Sequence, residues 1–122
     1  MTAQDKTTAI YMRTAMHSAS NGQSLAAQEQ ACRTYAAARG WYVGAVFADE
    51  GIPSTQRDRP AMHRLFTAVR DRVVERVLIA RPDRLSRSHA DMKAILHEME
   101  AQGVECVSVE QPSELRAPWP AE

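Results

Sequence analysis

The sequence predicts an α/β domain of three layers, a mostly parallel sheet of four to five strands flanked by helices. Three observations predict it. Apolar runs of strand length alternate with longer stretches of helical period in the order strand, helix, strand, helix, strand, helix, strand. The run "RVLIA" at 76–80 is continuously apolar after its arginine, as a strand covered on both faces must be. A chain of 122 residues is long enough for one hydrophobic core and too short for two.

Each element has a local reason. Residues 1–7 are polar and are expected to be disordered, leaving 8–110 as the domain. "TAIYM" reads as the first strand. "SLAAQEQACRTYAAARG" reads as a helix with Ser24 as N-cap, Gly40 as C-cap and Leu25, Cys32, Tyr35 and Ala36 facing inward. "WYVGAVFA" is the second strand. Pro60 suits a first helical turn, and Met62, Leu65, Phe66 and Val69 follow at i, i+3, i+4 and i+7. After "RVLIA", a third helix is predicted near Ser88, with Asp91 completing a capping box, Met92, Ile95, Leu96 and Met99 buried, and Gly103 as the stop. "VECVSV" is the fourth strand. The tail at 111–122, "QPSELRAPWPAE", has three prolines and no helical period, and is expected to be irregular.

Formal charge is balanced, but arginine supplies thirteen of the fifteen cations, and its planar fork suits bidentate phosphate contacts. Nine arginines lie between Gln56 and Arg87 against Asp58, Asp71, Glu75 and Asp83, so that segment is locally cationic. Cys32 and Cys106 sit in apolar patterns with no signal-like segment ahead of them, which favours reduced thiols in a cytoplasmic protein over a disulfide. His17, His63, His89 and His97 show no ligand spacing, so no metal site is expected. No apolar run is long enough to cross a bilayer, and no membrane association is expected.

In parallel sheets ligands gather at the carboxyl ends of the strands, here the segments that begin at Arg13, Asp49, Arg81 and Glu110. Three of these carry concentrated chemistry. Arg13 precedes Gln23, Ser24 and Gln28; "DEGIPSTQRDRP" follows the second strand; "RPDRLSR" follows the third. A fold that brings these ends together sets Arg13, Arg59, Arg84 and Arg87 around one pocket, with Asp83 available to orient a guanidinium or accept a proton. Such a pocket suits a phosphodiester.

In order and approximate spacing, "AIYMR", "QSLAAQ", "FADEGI", "RDRPAM" and "RPDRLSRS" resemble the catalytic domain of serine recombinases, the resolvase and invertase group. "DEGI" and "RDRP" look most like its large-serine-recombinase and transposon-type branch. The resemblance spans about residues 8–110 and implies a resolvase-like fold. It also implies site-specific DNA strand exchange: a serine after the first strand attacks a DNA phosphate and forms a phosphoserine link. Arginines rather than a metal then stabilise the transition state, so no cofactor is implied. Carried over by motif, Arg13, Arg84 and Arg87 match the phosphate-binding arginines and Arg59 the arginine of the "DRP" segment. Asp83 matches a carboxylate that assists proton transfer or holds the arginines, and Gln28 the glutamine of the first helix, so that the resemblance implies Arg13, Gln28, Arg59, Arg84 and Arg87 as the phosphate- and DNA-binding set.

At the nucleophile position the family pattern places serine two residues after the arginine, and here Ala15 stands there. Alanine has no attacking atom. Pro53 is a second departure, where relatives carry a small polar residue. Ser18 and Ser20 lie in the loop before Gln23, but in-line attack needs atoms held at about 3–3.5 Å, which a loop side chain achieves poorly. The family continues into a long dimer-forming helix and a DNA-binding domain, which the sequence to Glu122 does not contain. The expectation is therefore a catalytically inactive domain with weak, non-specific DNA affinity. An interaction module that regulates or poisons an intact recombinase oligomer remains an alternative, and both a homo-oligomer and a hetero-oligomer with a full-length recombinase are open. So is an enzyme acting on a small phosphorylated ligand. The letters read the same whether Ala15 is natural or introduced.

Overall fold

The computed structural model describes residues 7–14, 24–51, 59–85 and 89–110, apart from the side chains of Asp83 and His89. The elements run β1 (Thr7–Thr14), α1 (Leu25–Arg39), β2 (Val43–Glu50), α2 (Pro60–Arg70), β3 (Val74–Ile79), a short 3-10 turn (Pro82–Arg84), α3 (His89–Ala101) and β4 (Glu105–Ser108). They form a four-stranded, wholly parallel sheet in the order β2-β1-β3-β4.

The placement of the helices follows from this order. The step from β1 to β2 runs one way along the sheet, and the steps to β3 and β4 run the other. Crossovers of one hand must then put α1 on one face and α2 with α3 on the other. The two cores match. Cys32 and Ala36 of α1 pack on Ile10, Met12, Leu78 and Ala80. Leu65 and Val69 of α2 and Leu96 and Met99 of α3 pack on Ala9, Tyr11, Val77 and Ile79. Alternate residues of β3 enter opposite cores, so its continuous apolar run has the anticipated cause.

Several boundaries differ from the sequence expectation. β1 begins at Thr7, the last residue assigned to the disordered lead, because Thr7 pairs with Val74 and its hydroxyl donates to the Tyr42 carbonyl at 3.0 Å. At the other end β1 and β2 each extend two residues further, with Arg13 opposite Asp49 and Thr14 opposite Glu50. Arg13, Thr14 and Asp49 continue these strands because their side chains find partners inside the fold. β3 starts at Val74 rather than Arg76, and β2 at Val43 rather than Trp41. On α1, the Ser24 hydroxyl accepts from the Ala27 amide, and Gly40 closes the helix at φ 72°, where a Cβ would be strained. Leu25 and Tyr35 are only half-buried; Gln28 takes a fully buried place on the inner face instead. The capping box of α3 depends on Ser88, which lies outside the described residues, as does the tail at 111–122. Both cysteines are free thiols, Cys32 buried and Cys106 half-buried. Among the described residues no helix is long and apolar enough to cross a membrane.

Candidate functional site

The connections leave β1 and β3 in opposite directions, so a crevice opens between the carboxyl ends of these neighbours, as at the switch point of any open α/β sheet. Arg13 ends up there because it is the seventh residue of β1. Arg84 arrives from β3 through the 3-10 turn that Pro82 starts.

The two arginines hold each other by their backbones. Arg13 Nε donates to the Arg84 carbonyl at 3.2 Å, and Arg84 Nη1 donates to the Arg13 carbonyl at 3.1 Å. Each carbonyl turns its negative end toward the other residue's cation, which offsets part of the repulsion between two buried guanidiniums. A guanidinium is a rigid fork of five N–H donors, so anchoring one edge fixes the plane of the rest. Gln28, fully buried on α1, completes the frame. Its Oε1 accepts from the Arg13 amide at 3.3 Å and its Nε2 donates to the Arg13 carbonyl at 3.1 Å. The Arg13 carbonyl therefore accepts from both Arg84 and Gln28.

Arg59 enters from the second connection. It is the N-cap residue of α2, buried, and donates through Nη1 to the Leu85 carbonyl, one residue beyond Arg84. Its Nη2 lies 3.7 Å from Asp91 of α3. Asp91, expected from the sequence as a capping-box carboxylate, thus faces an arginine of the site. A groove of about 280 Å³ between α2 and α3 opens beside this pair, lined by Met62, His63, Phe66 and Ile95.

One residue of the site was missed in the sequence. Asp49 was read only as the start of a loop, yet its buried carboxylate gathers three donors. Oδ1 accepts from the Ala61 amide at 2.8 Å, and Oδ2 from the Met62 amide at 3.1 Å and the Tyr11 hydroxyl at 2.8 Å. It caps α2 from another strand. A signal was available: arginine at the N-cap cannot accept from the first-turn amides, so α2 required an acceptor from elsewhere. Burial, then the hydrogen bond and charge of Asp49, hold the Tyr11 phenol far above its ordinary range, with Arg59 nearby opposing the shift. Tyr11 stays protonated and donates.

The structure therefore brings Arg13, Arg84, Arg59 and Gln28 together within one set of contacts. Ala15, Arg87, Pro53, Ser18 and Ser20 lie outside the described residues, and so does the Asp83 side chain, although its backbone sits in the turn between Pro82 and Arg84. Thr14, beside the nucleophile position, accepts from the Gly51 amide at 3.4 Å through its hydroxyl. Among the described side chains of the crevice, three buried guanidiniums stand beside two carboxylates, Asp49 and Asp91. That imbalance suits an anion.

The resolvase N-terminal domain model matches residues 8–119. No match is found among curated proteins. Among solved structures, the N-terminal catalytic domain of TP901-1 integrase superposes with a TM-score of 0.83 at 30% identity, covering 88% of this chain and 80% of that one. The catalytic domain of ISC1926 TnpA, an IS607-like serine recombinase, gives 0.73 at 30% identity over 86% of this chain and 69% of its own. A resolvase-family site-specific recombinase from Streptococcus pneumoniae shares the fold, with a TM-score of 0.73 at 21% identity over 88% of this chain and 74% of that one. A doubly wound sheet with an arginine crevice at its switch point, matched along nearly its whole length, places this chain in the resolvase N-terminal domain family, whose fold it shares with the serine recombinase catalytic domains.

Proposed function

We propose that this chain binds a DNA phosphodiester in the arginine crevice and does not cleave it. The observation that carries the reading is the reciprocal clasp of Arg13 and Arg84 beside buried Arg59. Burying guanidiniums costs solvation, and an anion bound among them recovers it through charge-assisted hydrogen bonds. Arg87 and the Asp83 carboxylate complete the set by motif, Arg87 on the phosphate and Asp83 on the arginines or the transferred proton. Gln28 holds the Arg13 backbone in place within this set. At the nucleophile position, one residue past the end of β1, Ala15 supplies no oxygen for a phosphoserine link. In triad hydrolases loss of the nucleophile costs about 10⁶ in turnover while the binding groups remain, and the same separation of binding from chemistry applies here.

The test uses supercoiled plasmid and trapping of covalent protein–DNA adducts. The native sequence is expected to bind DNA weakly, more weakly still as salt rises, and to form no adduct. Ala15→Ser is expected to yield adducts and nicks, and Arg84→Ala in that background to abolish them. An adduct formed by the native sequence and lost in Ser18→Ala would overturn the inactive assignment. Absence of DNA binding that Arg84→Ala leaves unchanged would overturn the phosphodiester reading.

A further inference from the structure

We infer that Asp91 is a positioning residue of the arginine crevice: it holds Arg59 in the place from which Arg59 fixes the turn that carries Arg84, and so sets the affinity for a phosphodiester without touching it. The inference rests on the phosphodiester reading above. Arg59 is 3% exposed, and arginine stays charged wherever it is buried. It also stands at the amino end of α2, where the helix dipole has its positive pole. A cation in that place calls for anions around it. Asp49 accepts from the first-turn amides of the helix, and Asp91 faces the guanidinium, its Oδ2 3.7 Å from Nη2.

A local reason for Asp91 exists and does not cover this contact. A carboxylate in the first turn of α3 favours that helix by capping and by its dipole. Neither effect requires it to face another helix. Asp91 nonetheless meets an arginine of α2 across the seam between the helices, and its side chain is 30% exposed while its partner is buried. Such a pair differs from a surface ion pair, in which both groups keep their water.

Arg59 passes the constraint on. Its Nη1 donates to the carbonyl of Leu85, which closes the 3-10 turn Pro82–Arg84, and Arg84 Nη1 in turn donates to the Arg13 carbonyl. Because the guanidinium is planar and rigid, a movement of Nη2 moves Nη1 as well. Without the Asp91 charge, Arg59 shifts toward water and loosens the Leu85 carbonyl, and with it the plane in which Arg84 meets a phosphate. Electrostatics alone predicts the opposite sign, since a carboxylate beside an anion site repels the anion and neutralising it should tighten binding. Water and salt weaken that repulsion at a carboxylate that is partly exposed, whereas a hydrogen bond turned off its axis weakens steeply, so the geometric effect is the larger.

Fluorescence anisotropy of a short labelled DNA duplex at low salt is the measurement, with the urea midpoint of every variant as the control for folding. Arg84→Ala should weaken binding. Asp91→Asn, which keeps the shape and removes the charge, is expected to weaken it by about three- to tenfold, the equivalent of part of one charge-assisted contact. Asp91→Glu restores a carboxylate and should recover most of the loss. Glu98→Gln removes an equal charge from α3 at its ion pair with Arg70, and should leave binding unchanged or slightly tighter. In Arg59→Met, which has no guanidinium to position, Asp91→Asn should cost no further affinity. Binding by Asp91→Asn that equals or exceeds that of the native sequence overturns the proposal, as does a loss that Glu98→Gln reproduces or that persists in full in Arg59→Met. Binding that Arg84→Ala leaves unchanged overturns the phosphodiester reading and this inference with it, whereas a response to Arg84→Ala without one to Asp91→Asn overturns this inference alone.

Discussion

Asp49 shows how much of this site rests on one carboxylate. It joins β2 to the first turn of α2 and to Tyr11 of β1, and so fixes the helix whose N-cap is Arg59. Asp49→Asn turns an acceptor of three donors into a group that must present an NH₂ to at least one of them. The expected loss is about 2 kcal/mol of stability, read by urea denaturation, because hydrogen bonds to charged groups are worth roughly 1.5–3 kcal/mol. Tyr11→Phe keeps both amide bonds and should cost less. Gln28→Ala is expected to destabilise as well, since it leaves the buried Arg13 amide without this acceptor, and to weaken DNA binding through Arg13. Arg13 and Gln28 were legible in the sequence through their motifs. Asp49 was not, because its partners lie twelve to thirty-eight residues away and its role appears only when β1, β2 and α2 are adjacent.

At the level of elements, local signals sufficed where a helix carries its own caps and failed where the cap comes from elsewhere. Ser24 and Gly40 marked α1 because their bonding is confined to a few residues of one segment. The ends of β1 and β2 were misjudged because strand length depends on a neighbour in register, which no window of sequence contains. The start of β2 carries a further constraint. A Cβ on Gly44 would lie 2.4 Å from Thr7 Oγ1 and 3.0 Å from Thr7 Cβ, which belongs to a strand residue with little room to move. Gly44→Ala is expected to cost about 1–3 kcal/mol, the range for forced overpacking, and Thr7→Ala in the same chain to return most of it. A double-mutant cycle by thermal or urea unfolding checks both halves.

The whole molecule makes a prediction about pH. Burial, with Glu29 adding to it, pushes the Cys32 thiol from its ordinary value of 9.0 up to about 12, and burial likewise raises Tyr11 above its ordinary 10.0. Above pH 9 the unfolded chain releases these protons while the folded chain keeps them. The native state then binds more protons than the unfolded one, so stability falls as pH rises. Both contributions are complete below pH 9, that of Cys32 fades between 9 and 12, and that of Tyr11 begins to fade above 10. Each group adds a slope of at most about 1.4 kcal/mol per pH unit. Urea midpoints measured from pH 8 to 11 should decline, and Cys32→Ala should flatten the early part of that decline, although truncating a core residue also lowers the midpoint at pH 8.

The sequence by itself determined the alternation of strands and helices, the buried stripes, the caps of α1 and the arginine-rich segments at the strand ends, because each is written in the spacing of neighbouring residues. Only the tertiary structure decided that β1 and β3 lie side by side, that Arg13 and Arg84 hold each other's carbonyls, and that Asp49 caps α2. These are contacts between segments far apart in the chain. Their partners are set by strand order and helix side, which the shared handedness of the crossovers fixes for the fold as a whole and no local pattern encodes.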